Sequence, residues 1–498
     1  MIAAARPSPI ALATIAAGGG LLLAAVVAAQ YSIVAFAVIG LALVALLALA
    51  STRWPRALIV LVILSPILDR YLVGGLLPAS VEELAHFFSE ALLVGVGSVL
   101  LVRAARLGQL GAAFRHPVSL GLLALLAVTV LSALLNAVPP VVSAAGTFFT
   151  VDAIACFYLP RLVGFTPRQA TAAIAVFVGL MLVATVVAIA QALLAPDILG
   201  LAAAHGRFGE VYRLASFLGD PNTFGAFLIA AAPFALFSST GLAMARSRRI
   251  ALLVAFLLVL ALWLSFSRGA WLALVIGGGA VAALVDRRTL LVGAAVTALA
   301  FGTALFMPRD LLISSPAGGN GQTTTERPDL VDSTLGRFGT IGEGRDLRTR
   351  FALNAVPIFI DHPLLGVGPG RYGGAAADIF GTPVYEAYGT DELRSDDEQT
   401  TVDSFWLHLG IELGILGTLA YVAMLASVGL PALLGAIAAR GRRRILLAGI
   451  IAATASIALS AVTTMALEGN SVAFTFWFLL GLASLLTPAW TDAEASPA

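Results

Sequence analysis

The sequence has no lysine, one cysteine and five histidines in 498 residues, and only 11% of it is charged. Soluble globular chains carry charge at roughly a quarter of their positions, so this scarcity excludes an ordinary soluble protein. A single cysteine, Cys156, excludes an intrachain disulfide and any multi-cysteine metal site; within the apolar run AIACFYL it reads as a small buried side chain. The 29 basic residues are therefore all arginine, and 28 acids nearly cancel them to leave a formal charge of +1. With no bulk basic field, no nucleic-acid partner is expected. What is abundant is apolar: 59% of residues are hydrophobic, with a mean hydropathy of +0.97.

A helix needs about 20 largely apolar residues to cross about 30 Å of hydrocarbon. Runs of that kind fall near 10 to 29, 31 to 50, 57 to 68, 86 to 102, 118 to 138, 142 to 160 and 170 to 194. Others fall near 222 to 239, 250 to 266, 269 to 285, 289 to 307, 404 to 430, 445 to 466 and 471 to 488. The expected fold is an all-α polytopic membrane protein of about 12–14 transmembrane helices. The first run lacks a small-residue cleavage pattern and leads straight into another span, so it reads as a retained helix.

Positive loop residues stay in the cytoplasm. With both termini cytoplasmic, Arg6, Arg53, Arg56, Arg103, Arg106, Arg115, Arg161, Arg168, Arg246, Arg248, Arg249, Arg287, Arg288, Arg440, Arg442, Arg443 and Arg444 all fall on that side. The segment 308–403 is then a large external loop, periplasmic in a bacterium, with fifteen acids to eight arginines. Loops of such length are usually functional or disordered. Leu347, Phe351, Ala355, Ile358 and Phe359 are spaced as on an amphipathic helix that lies along a membrane surface. Four regions result: N-terminal spans 1–200, a core with external arginine motifs 201–307, the loop 308–403, and C-terminal spans 404–498.

In so apolar a chain, polar groups at membrane depth or at its external mouth are costly and therefore informative. RLASFLGDPNTFGAFL places Arg213 outside, against the positive-inside trend, while Asp220, Pro221 and Asn222 read equally well as a turn and helix cap. SFSRGAWLAL puts Arg268 in an external turn, as an anion contact or as an interfacial residue that snorkels. GEGRDLRTRFALNAVPIFIDHPLLGVGPGRY carries Arg345, Arg348 and Arg350, then a glycine-rich turn that ends at Arg371. Glycine lets backbone approach a ligand and the guanidinium fork matches phosphate oxygens, although these arginines also have Glu343, Asp346 and Asp361 as potential partners. In TVDSFWLHLGIELGILG, a helix starting at Ser404 sets Ser404, His408 and Glu412 on one face with Asp403 as its cap, which offers a general base. The alternatives are a plain cap for Asp403, a satisfied interior histidine for His408, and a structural arginine partner for Glu412. Together the clusters suit a substrate with a diphosphate head and a long lipid tail. Arginines bind and stabilise the leaving diphosphate and a carboxylate deprotonates the incoming hydroxyl, with no metal or other cofactor required.

From about Arg213 to Gly417 the order of motifs resembles the O-antigen ligase and polymerase superfamily of bacterial envelope enzymes. The resemblance rests on RLASFLGDPNTFGAF, SFSRGAWLAL, an arginine fourteen residues before HPLLGVGPGRY, the large external loop, and ELGILG. It implies a metal-independent, inverting glycosyltransferase of the inner membrane that moves a glycan from undecaprenyl diphosphate to a saccharide, lipid or protein acceptor on the external face. The family's external arginines map onto Arg213 and onto Arg348 or its neighbour Arg350, and less directly onto Arg268 and Arg371. Ligases of the family carry His-Asn nine and eight residues before the glutamate of E-x-G; here Asp403 and Ser404 stand there, while Glu412 and Gly414 keep the register. The catalytic set so implied is Asp403, His408 and Glu412, with a departure from lipopolysaccharide-type ligation. Two other classes fit a polytopic chain: a transporter or flippase, against which no inverted repeat or pair of broken helices is evident, and a non-catalytic scaffold of envelope synthesis.

Overall fold

The computed structural model describes residues 50, 53–72, 88–193, 213–306, 347–390, 402–468 and 471–487. Among the described residues every regular element is helical and there is no strand. Fifteen of these helices are labelled here: α1 Pro55–Leu72, α2 Phe88–Arg106, α3 Pro117–Leu135, α4 Pro140–Val151, α5 Ala155–Val163, α6 Pro167–Leu193, α7 Pro221–Gly241 and α8 Ala245–Leu264. There follow α9 Arg268–Ala273, α10 Gly279–Val285, α11 Arg287–Phe306, α12 Leu347–Asp361, α13 Phe405–Ala438, α14 Gly441–Ser460 and α15 Ser471–Leu486. Nine helices or helix runs among the described residues are long and apolar enough to cross a membrane, and α1 and α15 hold shorter apolar stretches. The chain is a multi-pass membrane protein. Expected spans 10 to 29 and 31 to 50 lie, but for residue 50, outside the described residues, as do Arg345 and the loop segments 308–346 and 391–401.

Local sequence explains where the helices begin. Proline stands at the first position of α3, α4, α6 and α7, where its fixed φ suits a helix and its missing N–H costs nothing. Asp220 caps α7 by accepting from the Thr223 N–H at 2.7 Å, and His116 caps α3 through Nδ1 and the Val118 N–H at 3.2 Å. The centre of the bundle is the pair α7 and α14, each 72% buried over its apolar window; α3 and α11, at 22%, form the rim. Leucines on the rim, such as Leu120, Leu134 and Leu291, point outward where a soluble protein would place charge.

Two spans are interrupted. Between α4 and α5 a 3-10 turn covers Asp152–Ile154, and α13 breaks at Gly414, whose φ of 64° and ψ of −164° are non-helical. A straight 34-residue helix would be about 51 Å long, well beyond one membrane crossing. The backbone of 363–368 enters the break: Pro363 and Leu364 carbonyls accept from Ile415 and Leu416, while Val367 and Gly368 N–H groups donate to Ile411 and Glu412. A side chain at 414 would place its Cβ 2.4 Å from the Leu364 carbonyl carbon, so this position demands glycine on both counts. The single apolar span expected at 404 to 430 is thus corrected to two helical segments that meet at Gly414, a break closed by the backbone of 363–368. A second correction concerns the helix cap. Ser404, not Asp403, caps α13 through the Leu407 N–H at 3.3 Å, which leaves the Asp403 side chain free to turn toward α12.

Candidate functional site

The polar residues singled out in the sequence gather at the end of the bundle where α8 passes to α9, α14 to α15, and α12 meets α13. Arg213 is fixed by the turn after α8: its Nε donates to the Ser265 carbonyl at 3.1 Å and its Nη2 to Asn222 Oδ1 at 2.8 Å and the Phe266 carbonyl at 3.5 Å. Ser267 Oγ lies 3.3 Å from the same Asn222 oxygen. RLASFLGDPN and SFSRG therefore form a single structure, with Arg268 half-buried as the first residue of α9.

Arg348, at the start of α12, donates from Nε and Nη2 to Asp403 Oδ2 at 3.1 and 2.9 Å. Both side chains are partly exposed, at 45% and 31%. Asp361, one of the acids proposed from sequence as partners, does not take this arginine. Asp361 instead accepts from Tyr388 Oη at 2.8 Å, and burial, then that contact, raises the Tyr388 phenol above its ordinary range. Glu343 and Asp346 lie outside the described residues. Arg350 is half-buried one turn away from the start of α12.

The glycine-rich turn is held from beneath. Glu412 accepts from the N–H groups of Gly370 and Tyr372, both at 2.8 Å, and His408 Nδ1 meets the Tyr372 carbonyl at 2.5 Å. His408 Nε2 lies 3.2 Å from Glu468 Oε2, and Glu468 Oε1 accepts from Ala375 N at 2.9 Å. His408 and Glu412 do share one face, but at 2% and 1% exposure neither reaches the surface. Tyr372 is buried with them, and burial together with Tyr385 pushes its phenol far up, so it stays protonated. Arg371 reaches across to the Ala137 carbonyl at 3.2 Å. The glycines permit this contact: a Cβ on Gly370 would stand 2.6 Å from the Val142 carbonyl oxygen.

The two arginine clusters are joined through the α14–α15 turn. A Cβ on Gly269 would stand 2.3 Å from Thr463 Oγ1, and the Phe405 N–H donates to the Ala461 and Thr464 carbonyls. Glu468 belongs to the same turn, so one short segment touches α9, the start of α13 and the glycine-rich turn. Sequence reasoning missed Glu468, a lone acid among small residues whose partners are remote in the chain. It also missed backbone strain. Ala137, Ser216 and Phe266 are the three non-glycine residues with positive φ among the described residues. Two of them offer their carbonyls to Arg371 and Arg213, and strain of this kind tends to collect at functional sites.

Fold and site together define a polytopic membrane protein with an arginine–carboxylate centre at one end of its bundle. Residues 253–422 match the model of a family described as O-antigen ligase, so this part of the chain is similar to that family. That likeness supports an O-antigen ligase-like function in general. No curated protein matches the chain. The matched segment holds Arg268, Arg348, Arg350, Arg371, Asp403, His408 and Glu412; Arg213 and Glu468 lie beyond it.

Proposed function

We propose that the protein transfers a saccharide from a polyprenyl-diphosphate carrier to an acceptor hydroxyl, on the external face of the cytoplasmic membrane. The observation that carries this reading is the half-exposed Arg348–Asp403 pair, a phosphate-matching fork beside a carboxylate at the mouth of the family-matched segment. Asp403 takes the proton from the acceptor hydroxyl, whose oxygen attacks the anomeric carbon as the bond from that carbon to the diphosphate oxygen breaks. Arg348 leaves Asp403 for the diphosphate, and with Arg213 it balances the charge that grows on the leaving group. Attack opposite the leaving group inverts the anomeric centre. Arg350, Arg268 and Arg371 line the approach as further cations. His408 and Glu412 act as positioning residues, since both are buried and bonded to the turn that carries Arg371. The arginine-rich loops, which the positive-inside trend assigns to the other side of the membrane, support the external placement.

A transporter of envelope lipids is the second reading, and the broken α13 speaks for it, because discontinuous helices often line substrate paths. The backbone of 363–368 fills that break, however, which leaves no room for cargo there. The test is the glycan profile of a deletion strain complemented with wild type, Arg348→Ala or Asp403→Asn. Single repeat units on the final acceptor mark a lost polymerase, and full-length chains stranded on the carrier mark a lost ligase. An unchanged profile in the deletion strain refutes the transferase.

A further inference from the structure

Both α8 and α11 start at the end of the bundle opposite the Arg213–Arg268 structure, and both start with arginine. Arg246, Arg248 and Arg249 on α8 and Arg287 and Arg288 on α11 are all exposed. The acid beside them is Asp286, whose carboxylate already accepts from the Thr289 hydroxyl at 2.8 Å and lies 4.0 Å from Arg444. From this basic end an apolar groove of about 380 Å³ runs among α7, α8, α10 and α11. Along α11 it extends from Thr289 to Phe301, about 18 Å, enough to take an acyl chain from a leaflet about 15 Å deep. A π turn at Leu274–Gly278 joins α9 to α10, and such bulges are frequent at functional sites. Glycine keeps the groove open: Cβ atoms on Gly278, Gly279 and Gly293 would stand 3.2, 3.9 and 3.8 Å from the side chains of Leu274, Leu290 and Leu236. Val275 on its wall is 56% exposed and Leu291 on α11 is 69% exposed, so the groove opens to hydrocarbon rather than to water.

We propose that this groove holds one acyl chain of an anionic phospholipid from the leaflet opposite the candidate site, with the lipid phosphate on Arg287 and Arg288. Charge decides the occupant. Exposed arginines at two helix N-termini, against one acid that is already engaged, attract an anionic headgroup, as basic pockets between membrane helices do. A diphosphate carrier with its glycan at the Arg213 end would have its head at the wrong end of this groove, so the occupant is a resident lipid and the inference does not depend on the transferase reading. A second copy of the chain would set like-charged arginine clusters against each other. Seated between α8 and α10, the acyl chain braces the two spans that meet at the Ser265–Arg268 turn.

The test reads which lipid the full chain keeps. Protein from nanodiscs of mixed phosphatidylglycerol and phosphatidylcholine is released into detergent and weighed by native mass spectrometry, which should show one phosphatidylglycerol held per chain. Arg287→Gln combined with Arg288→Gln should weaken that retention about 25-fold, about fivefold for each arginine, the scale of one basic residue at an anionic membrane surface. The same charge removed from the α13–α14 turn, by Arg440→Gln combined with Arg442→Gln, should leave it within about twofold. Gly293→Leu fills the groove and should abolish retention, whereas Gly302→Leu on the same helix, where a Cβ meets nothing within 4 Å, should not. Equal loss from both arginine pairs marks nonspecific surface attraction and overturns the proposal. Equal retention of phosphatidylcholine, or a dimer that carries no lipid, overturns it too. A phosphatidylglycerol probe with a diazirine on its acyl chain should label 233–237 or 263–301 of the wild type, and label confined to other segments overturns the groove assignment.

Discussion

Glu412→Gln separates anchoring from chemistry. In the native turn both carboxyl oxygens of this residue accept a backbone N–H at 2.8 Å, from Gly370 and Tyr372, at a site only 1% exposed. Glutamine keeps one acceptor and turns an NH2 toward the other N–H, so one bond is lost and a buried donor is left unpaired. A hydrogen bond to a charged group is worth about 1.5–3 kcal/mol and an unpaired buried donor costs about 1–3 kcal/mol, which gives a loss near 3 kcal/mol. For a chain of 498 residues that corresponds to a drop of roughly 3 °C in apparent Tm. The assay is thermal unfolding of the purified protein in nanodiscs alongside turnover of a lipid-linked donor. If the glycine-rich turn is what Glu412 holds, Tm falls and the surviving folded fraction has a raised KM with kcat nearly intact. A variant that melts like wild type yet has no kcat refutes this reasoning and puts Glu412 in the chemistry.

Other outcomes follow from single contacts. Arg213→Lys keeps the charge but cannot span Ser265, Phe266 and Asn222 together, so kcat/KM should fall about tenfold or more with little change in Tm, as kinetics beside a melt will show. Ala137 holds φ at 47°, and Ala137→Gly removes about 1 kcal/mol of strain, so its unfolding temperature should rise. His116 is pushed down to about 3 by burial and by Arg161, against an ordinary 6.5. Its neutral cap is fully present above about pH 6.5 and is lost as pH falls toward 3, because the unfolded chain takes the proton first. His116→Asn keeps a cap without titrating, so between pH 7 and 5 the wild type should lose stability relative to the variant in paired melts.

Much of the architecture is legible because length and hydropathy are local: expected spans at 118 to 138, 222 to 239 and 289 to 307 correspond to α3, α7 and α11. The amphipathic spacing around Phe351 and Ala355 likewise becomes α12. Asp220 follows from its position before a proline and a helix. The site is less legible because its contacts are remote. Arg348 and Asp403 are 55 residues apart, and the arginine bypasses its sequence neighbour Asp361 for a partner set by how α12 crosses α13. The break at Gly414 is invisible in an otherwise uniform apolar run, since it depends on hydrogen bonds with residues near 364. Glu468 earns its place only through His408 and Ala375, which no spacing rule connects to it.

The central claim is that the Arg348–Asp403 pair performs glycan transfer, and it is tested most directly by reconstitution. Purified protein in nanodiscs is given a defined saccharide on polyprenyl diphosphate and an acceptor, and the new glycosidic bond is read by mass spectrometry. A partly exposed ion pair adds only about 0–1 kcal/mol to stability, so Asp403→Asn and Arg348→Ala should both fold. Each should lose product by about a hundredfold or more, the scale of a missing base or charge clamp. Wild-type yields from both folded variants would contradict the account.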